Sequence, residues 1–511
     1  WPVDVDFGAQ GGIYVLDWVQ GWEKPGKGRL YRLYEDTYSN DLNMMQTRKL
    51  LADGFQNRKI EELGNLLSHV DMRVRQGAQF ALAAKGLEST NILNTIATSS
   101  VNQLARVHAI WALGQIGRQQ PLVYPLLFPL IGDTSDSEIR AQAAKVLGDG
   151  KFEMAFPYLA RAAQDPIPRV RYFGLIGLGK LHASEALEPI AQALRDNNDA
   201  DPYLRHAAVM ALTWMNDANA LETLSKDGSP AARMGALLAM RRLKRPEVAM
   251  FLYETRPQLV LEAARAIYDL PIDKSMSQLA ALINTPNAPK AAMRRALHAN
   301  YRLGKLENAM ALAEFATRQA ILPELRATAL ELLGRWAEGS KLDLFTGAWH
   351  PLQAREARPA TLALGSDLPE LLAASNPLEV RLEAVQAAKN LAIDRAGSEL
   401  TKIVTNPAEP PVLRMESLRA LISLKDPALA ALVKTLASDL DPLLRKEAAS
   451  LQLRTQKGDP TQAALQMLDQ GSIAEKQSAM EMLGDMKGRA IDPILMMWLD
   501  RVVNRKAPKE L

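Results

Sequence analysis

The chain has 511 residues, 48% apolar and 23% charged, which is ordinary for a folded protein and long enough for several domains or one repeat array. It has no cysteine, which excludes disulfides, thiolate nucleophiles, cysteine-held metals and covalent haem attachment within this chain. Lys and Arg number 61 against 58 Asp and Glu, a net charge of +3; with no dense basic cluster, nucleic-acid binding is not expected.

Residues 1–36 differ in texture from the rest of the chain. They hold Trp1, Trp18 and Trp22, dense glycine and three runs with strand-type alternation: WPVDVDFG, GGIYVLDW and RLYRLY. Two or three strands are not stable alone, so they either pack on the rest of the chain or complete a sheet supplied elsewhere. Between the second and third runs lies GWEKPGKG (21–28), which spells most of a phosphate-binding loop. Such a loop needs a Ser or Thr after its lysine to hold magnesium, and it opens a helix. Here Gly28 follows Lys27 and the strand-like RLYRLY comes next, so a hairpin connection is expected instead. The start of the sequence shows neither a basic n-region nor an apolar h-region, so no signal peptide or anchor is expected in it. The most apolar window, LVYPLLFPLI (122–131), is too short for a bilayer and holds two prolines; no transmembrane segment is expected.

From about Met44 an Ala- and Leu-rich helical pattern takes over. A basic residue recurs three places before a small one, at Arg75, Arg106, Arg140, Arg171, Arg205, Arg233, Arg326, Arg381, Arg414, Arg445 and Lys476, with weaker copies around Glu262 and Arg294. The spacings from Arg75 to Arg233 are 31, 34, 31, 34 and 28 residues. Asp-Pro or Asn-Pro often precedes the signature, as at Asp165-Pro166 and Asp441-Pro442, where Asp caps and Pro opens a helix. Leu-Gly often ends it, as at Gly114, Gly148, Gly179 and Gly304, which predicts helix stops. One such hairpin cannot bury its apolar face, but a stack of them can. The recurring Arg is read as a structural ladder, bonding to turn carbonyls or carboxylates of the neighbouring repeat.

The interval from Arg326 to Arg381 is too long for one repeat. Its excess, GSKLDLFTGAWHPLQAREARP (339–359), has aromatics, Gly, Pro and mixed charge without helical period. Long loops of this kind are often functional. It is read as a strap over a seam between repeats or as a docking element presenting Phe345, Trp349 and His350. Elsewhere the six histidines, His69, His108, His182, His206, His298 and His350, form no local metal pair. No nucleophile elbow or dinucleotide fingerprint is present, so no catalytic residue, metal or cofactor site is assigned to this segment.

The repeats resemble HEAT repeats in length, in the D-P-x-V-R turn and in the A-x-x-A-L-x-x-L-G second helix. The expected fold class is therefore mostly α: an α-solenoid of about thirteen hairpins over 37–338 and 376–500. An irregular insert with a short helix interrupts it at 339–375, and a basic tail or linker follows at 501–511. The N-terminal piece resembles the closing segment of a β-propeller found in large secreted proteins of planctomycetes and verrucomicrobia, related to soluble sugar dehydrogenases. The likeness rests on P-x-D (Pro2, Asp4), G-x-[IL]-Y-V-x-D-W (12–18) and G-R-[IL]-Y-R (28–32). DLFTGAWHPL (343–352) is similar to a segment of that family's repeat region. In that family HEAT repeats follow the propeller and a c-type cytochrome domain commonly comes next.

The resemblance implies an interaction scaffold with protein partners, periplasmic or extracellular, that links a propeller to an electron-transfer module. Haem c would lie in a flanking domain. Only a propeller's end and no haem motif are present, so under the resemblance either this is the middle of a longer polypeptide or flanking parts lie outside this sequence. Asp4 and Asp17 match acidic positions of the propeller end and are expected to bond at turns and strand ends; Asp17 and Trp18 join the candidate partner-binding residues. Two alternatives remain. One is part of a sugar or alcohol dehydrogenase-like enzyme whose catalytic and haem parts lie outside this segment. The other is a cytoplasmic HEAT-repeat adaptor, which would need another use for the strands.

Overall fold

The alternation in PVDVDF, IYVLD and RLYRL gives three antiparallel strands, β1 (Pro2–Phe7), β2 (Ile13–Asp17) and β3 (Arg29–Leu33), in the order β1-β2-β3. This computed structural model describes residues 2–9, 11–18, 26–35, 41–455, 460–486 and 491–508. Most of the 21–28 connection therefore lies outside the described residues, but the strands flanking it pair as a hairpin, with Asp17 opposite Arg29. The register puts Val5, Val15 and Tyr31 in one row and Phe7, Ile13 and Leu33 in the next, all on one face. Asp6, Tyr14 and Arg32 lie on the other. The apolar face is open: Val5, Phe7 and Leu33 are 62%, 67% and 57% exposed. The sheet is tied to the helices at its end, where Arg73 Nη1 donates to the Phe7 carbonyl at 2.7 Å and Gly11 packs on Met44.

The chain divides into two units, Trp1–Arg245 and Pro246–Leu511. Each is a stack of helical hairpins. In the first unit the second helices of the hairpins begin at Met72, Gln103, Ser137, Pro168, Pro202 and Pro230. In the second they begin at Pro257, Lys290, Pro323, Leu378, Pro411, Pro442 and Ile473, making thirteen among the described residues. Consecutive second helices pack side by side throughout the first unit and, in the second, from Pro257 to Leu424 and again between Pro442–Thr455 and Ile473–Asp485. Asp71, Asn102, Asp136, Asp201 and Ser229 cap their helices by accepting backbone N–H groups; at Asp165-Pro166 the expectation fails, because the helix opens two residues later at Pro168, after Ile167, which supplies no side-chain cap.

The ladder reading holds for part of the series. Arg106, Arg326, Arg381 and Arg414 each send Nε to a carbonyl at the end of their own first helix: Ala97, Ala316, Leu372 and Val404. Their terminal nitrogens reach forward to the next repeat's turn, to Asp133, Asn376, Glu409 and Asp439. Arg75, Arg171, Arg233 and Arg445 instead bond carbonyls of the turn that opens their own helix. Three places on, Ala78, Ala109, Ala143, Ala208 and Ala236 are fully buried. Counted from the helix starts, the two weaker copies carry Val260 and Met293 at the ladder position, both buried. An apolar side chain there removes the guanidinium and its need for partners.

One expectation needs correction. The Leu-Gly glycines are helix stops only in part. Gly304 ends its helix with φ +72°, but Gly114, Gly148 and Gly179 lie inside helices. Their reason is close approach. A Cβ on Gly148 would fall 2.5 Å from Gly177 Cα, and one on Gly179 would fall 2.4 Å from Ala211 Cα. The apolar window near residue 122 is the first helix of a repeat wound as a 3-10 helix, Pro121–Gly132, with Pro125 and Pro129 inside it. Three residues per turn bring Tyr124, Leu127 and Leu130 onto one ridge, and all three are buried.

Candidate interaction site on the second unit

The segment 339–375 resolves into a hairpin and two short helices. β4 (Ser340–Leu342) pairs antiparallel with β5 (Trp349–Leu352). The helices Arg358–Gly365 and Leu368–Leu372 form a broken first layer for the next repeat. The second helices Pro323–Gly334 and Leu378–Asn390 pack together nonetheless, with Gly334 against Ala387. The hairpin is thus an addition to an unbroken stack.

Asp343 fixes its tip. One carboxylate oxygen accepts the N–H groups of Phe345 and Thr346 and the Thr346 hydroxyl, at 3.0, 2.8 and 3.0 Å. The other accepts the Tyr268 phenol at 2.7 Å and Arg302 Nη1 at 3.1 Å. Burial alone would raise this carboxyl's pKa, but the Thr346 N–H, the Tyr268 phenol and the other donors outweigh burial and lower it. Burial, and then the Asp343 carboxylate, push the Tyr268 phenol far up. Arg302 also donates to the His350 carbonyl at 3.1 Å.

Phe345 lies against Tyr268 and His298, ring centroids 5.9 and 5.0 Å away, with the Arg295 guanidinium 4.9 Å from its ring. Burial lowers His298 to about 4, so the ring is neutral at pH 7. A second clasp closes the exit from the hairpin. Arg355 donates to the Trp336 and Tyr301 carbonyls and lies over both rings, 4.1 and 4.8 Å from their centroids.

Of the candidate docking residues, Phe345 is therefore an inward anchor, His350 is half-buried, and Trp349 is 71% exposed beside its cross-strand partner Leu342. Asp17 and Trp18 belong to the first unit, at the end of β2. Tyr268, Arg302 and Arg355 were not foreseen, because each meets a partner distant in sequence: Tyr268 and Arg302 meet Asp343, and Arg355 meets Tyr301. The one local signal was Asp343 followed by Thr346, the spacing of a side-chain-closed turn. With both Asp343 oxygens engaged, the arrangement does the work of a latch.

A family model described as HEAT repeats matches residues 60–148 and 124–201. No protein of curated function matches the chain. Among solved structures, an engineered protein is 19% identical over 81% of this chain and 99% of its own, with a TM-score of 0.25. Human deoxyhypusine hydroxylase is 17% identical over 68% and 98%, TM-score 0.23. Importin beta is 12% identical over 89% and 67%, TM-score 0.35. Similarity of that degree adds nothing to the repeat architecture already described.

Proposed function

We propose that the chain is an interaction scaffold that holds protein partners on the exposed faces of its stacked helices. HEAT repeats point to this role, and one observation carries it: the residues that recur from repeat to repeat are engaged within their own repeat or by the next one. The ladder arginines and the buried alanines have internal partners, and the charged cluster of the second unit closes the strap. What varies from repeat to repeat lies on the surface, where specificity for a partner is written. The test is affinity purification of the tagged full-length protein from its native source, followed by gel filtration. A protein co-eluting in fixed stoichiometry is expected; elution as a lone chain overturns the reading.

The finer reading is a scaffold in an extracytoplasmic redox assembly, joining a propeller to an electron-transfer module. The alternative of a dehydrogenase-like enzyme with flanking catalytic and haem c domains shares its support. That support is the open apolar face of β1–β3, which suits one blade awaiting neighbours, and the D-x-x-T-G-x-W-x-P-L match at the strap. Reading the gene outward in both directions tests it: further blades upstream and a C-x-x-C-H motif downstream are expected. Their absence leaves a HEAT adaptor without redox chemistry.

A further inference from the structure

The sheet β1-β2-β3 has two free edges, and they differ. Along an antiparallel strand every second residue turns its N–H and C=O away from the neighbouring strand. On β1 these are Val5 and Phe7. Their N–H groups are taken by the side chains before them, Asp4 Oδ1 at 2.8 Å and Asp6 Oδ1 at 2.7 Å. Arg73 takes the Phe7 carbonyl at 2.7 Å. Gly8, next in line, turns the other way and donates to the Gly12 carbonyl across the hairpin. With its outward groups occupied, β1 is closed to a further strand.

The opposite edge is β3, and the register carries the alternation to it. Asp6 stands opposite Tyr14, so Ile13 and Val15 turn towards β3, where they meet Leu33 and Tyr31. Leu30 and Arg32 therefore direct their N–H and C=O outward, and among the described residues no strand lies beside them. Their side chains share one face, with Tyr31 and Leu33 on the other. Leu30 is 61% exposed and Leu33 57%, so the open edge is apolar on both faces.

Charge selects what fits there. β1 carries Asp4 and Asp6 and no base, whereas β3 carries Arg29 and Arg32 and no acid. Arg32 lies 4.6 Å from the Tyr34 ring and makes no ion pair among the described residues. The β1 of a second copy has the right sign, but its outward groups are already bonded. The β3 of a second copy would line up Arg29 and Arg32 of both chains along one seam, which like charges oppose. An acidic strand from another protein supplies both free main chain and opposite charge.

We propose that β3 binds an extended acidic segment of a protein partner, added antiparallel as a fourth strand. Main-chain bonds to Leu30 and Arg32 hold it, and side chains set its sequence. Carboxylates three residues apart stand opposite Arg32 and Arg29, on the two faces, and apolar side chains stand opposite Leu33 and Tyr31. The proposal rests on the scaffold reading and gives one of its contacts a geometry.

The test uses the full chain and fluorescein-labelled peptides in low salt. GSVEVTESG sets its glutamates opposite Arg32 and Arg29, and GSVKVTKSG reverses their charge. The acidic peptide is expected to bind at least about tenfold more tightly, with affinity falling as salt rises. Arg29→Glu combined with Arg32→Glu should invert the preference, which an unfolded sheet could not do. A second arm leaves the protein untouched. N-methylation of the first glutamate removes the N–H donated to the Arg32 carbonyl and should weaken binding about tenfold or more. N-methylation of the valine after it, whose N–H turns away from β3, should cost far less. Equal binding of the two peptides, no binding of the acidic one at millimolar concentration, an unchanged preference in the double variant, or equal loss from the two methylations overturns the proposal. So does dimerisation of the chain that the double variant abolishes, or stronger binding of single-stranded oligonucleotide. If the double variant retains the natively purified partner, the edge proposal falls and the scaffold stands; if no partner is recovered with the parent chain, the scaffold itself falls.

Discussion

At the scale of single residues, the ladder contains nearly buried ion pairs, Arg106–Asp133, Arg381–Glu409 and Arg414–Asp439. Arg106 and Asp133 retain 7% and 12% of their side-chain exposure. Removing one partner of such a pair strands the other charge, whereas removing both is far milder. Arg106→Met is expected to cost about 3–5 kcal/mol in urea unfolding, and adding Asp133→Asn should recover much of it. Burial would raise the Asp133 carboxyl, but Arg106, Ser135 and two backbone N–H groups hold it at about 2. Its folded pKa lies below the ordinary value, so its contribution is complete above about pH 4 and is lost as pH falls towards 2.

His108 acts in a different window. Burial, then the Arg75 charge, lower it to about 4, so the unfolded chain takes up the proton first. Stability should therefore drop between about pH 6.5 and 4, and less so in His108→Gln, as thermal melts across that range will show. The ladder was legible in the sequence because its spacing repeats. The substitutions Val260 and Met293 were not, because the nearby Glu262, Arg294 and Arg295 drew the pattern out of register. The helix starts correct the alignment.

At the scale of elements, the strap stands on Asp343. Asp343→Ala removes the acceptor for Tyr268, Arg302 and the tip's own backbone. Hydrogen exchange should then show the Phe345 and Thr346 amides losing protection, while the helices Pro257–Asp269 and Lys290–Leu303 keep theirs. Retained protection at the tip would contradict the latch. Trp349→Ala, at an exposed position, should change stability by no more than about 0.5 kcal/mol.

Sequence reasoning located this insert, because helical period stops at Gly339, and it offered both strap and docking surface. It could not apportion the residues. Phe345 and Trp349 are both aromatic in one short loop, and only the register of β4 on β5 with the Asp343 turn sends one inward and the other out. The Leu-Gly glycines failed for a related reason. A glycine at the end of a repeat reads as a stop, but the need at Gly148 is a neighbouring backbone, which belongs to another repeat.

For each unit as a whole, a hairpin contacts its neighbours along the stack, so stability is a sum over repeats and seams. Unfolding should therefore not be a single two-state step. Urea curves followed by far-ultraviolet circular dichroism are expected to diverge from those followed by tryptophan emission. Trp336 and Trp498 report only their own surroundings, where both are buried. Coincident curves would mean that the seams couple more strongly than this architecture provides.

The strap has a spatial consequence for anything laid along the second unit. Its tip rests on Tyr268 and His298, which belong to two adjacent second helices. A ribbon-like guest following those helices would collide with Phe345, so this stretch offers two short bays with a doorstop between them rather than one continuous track.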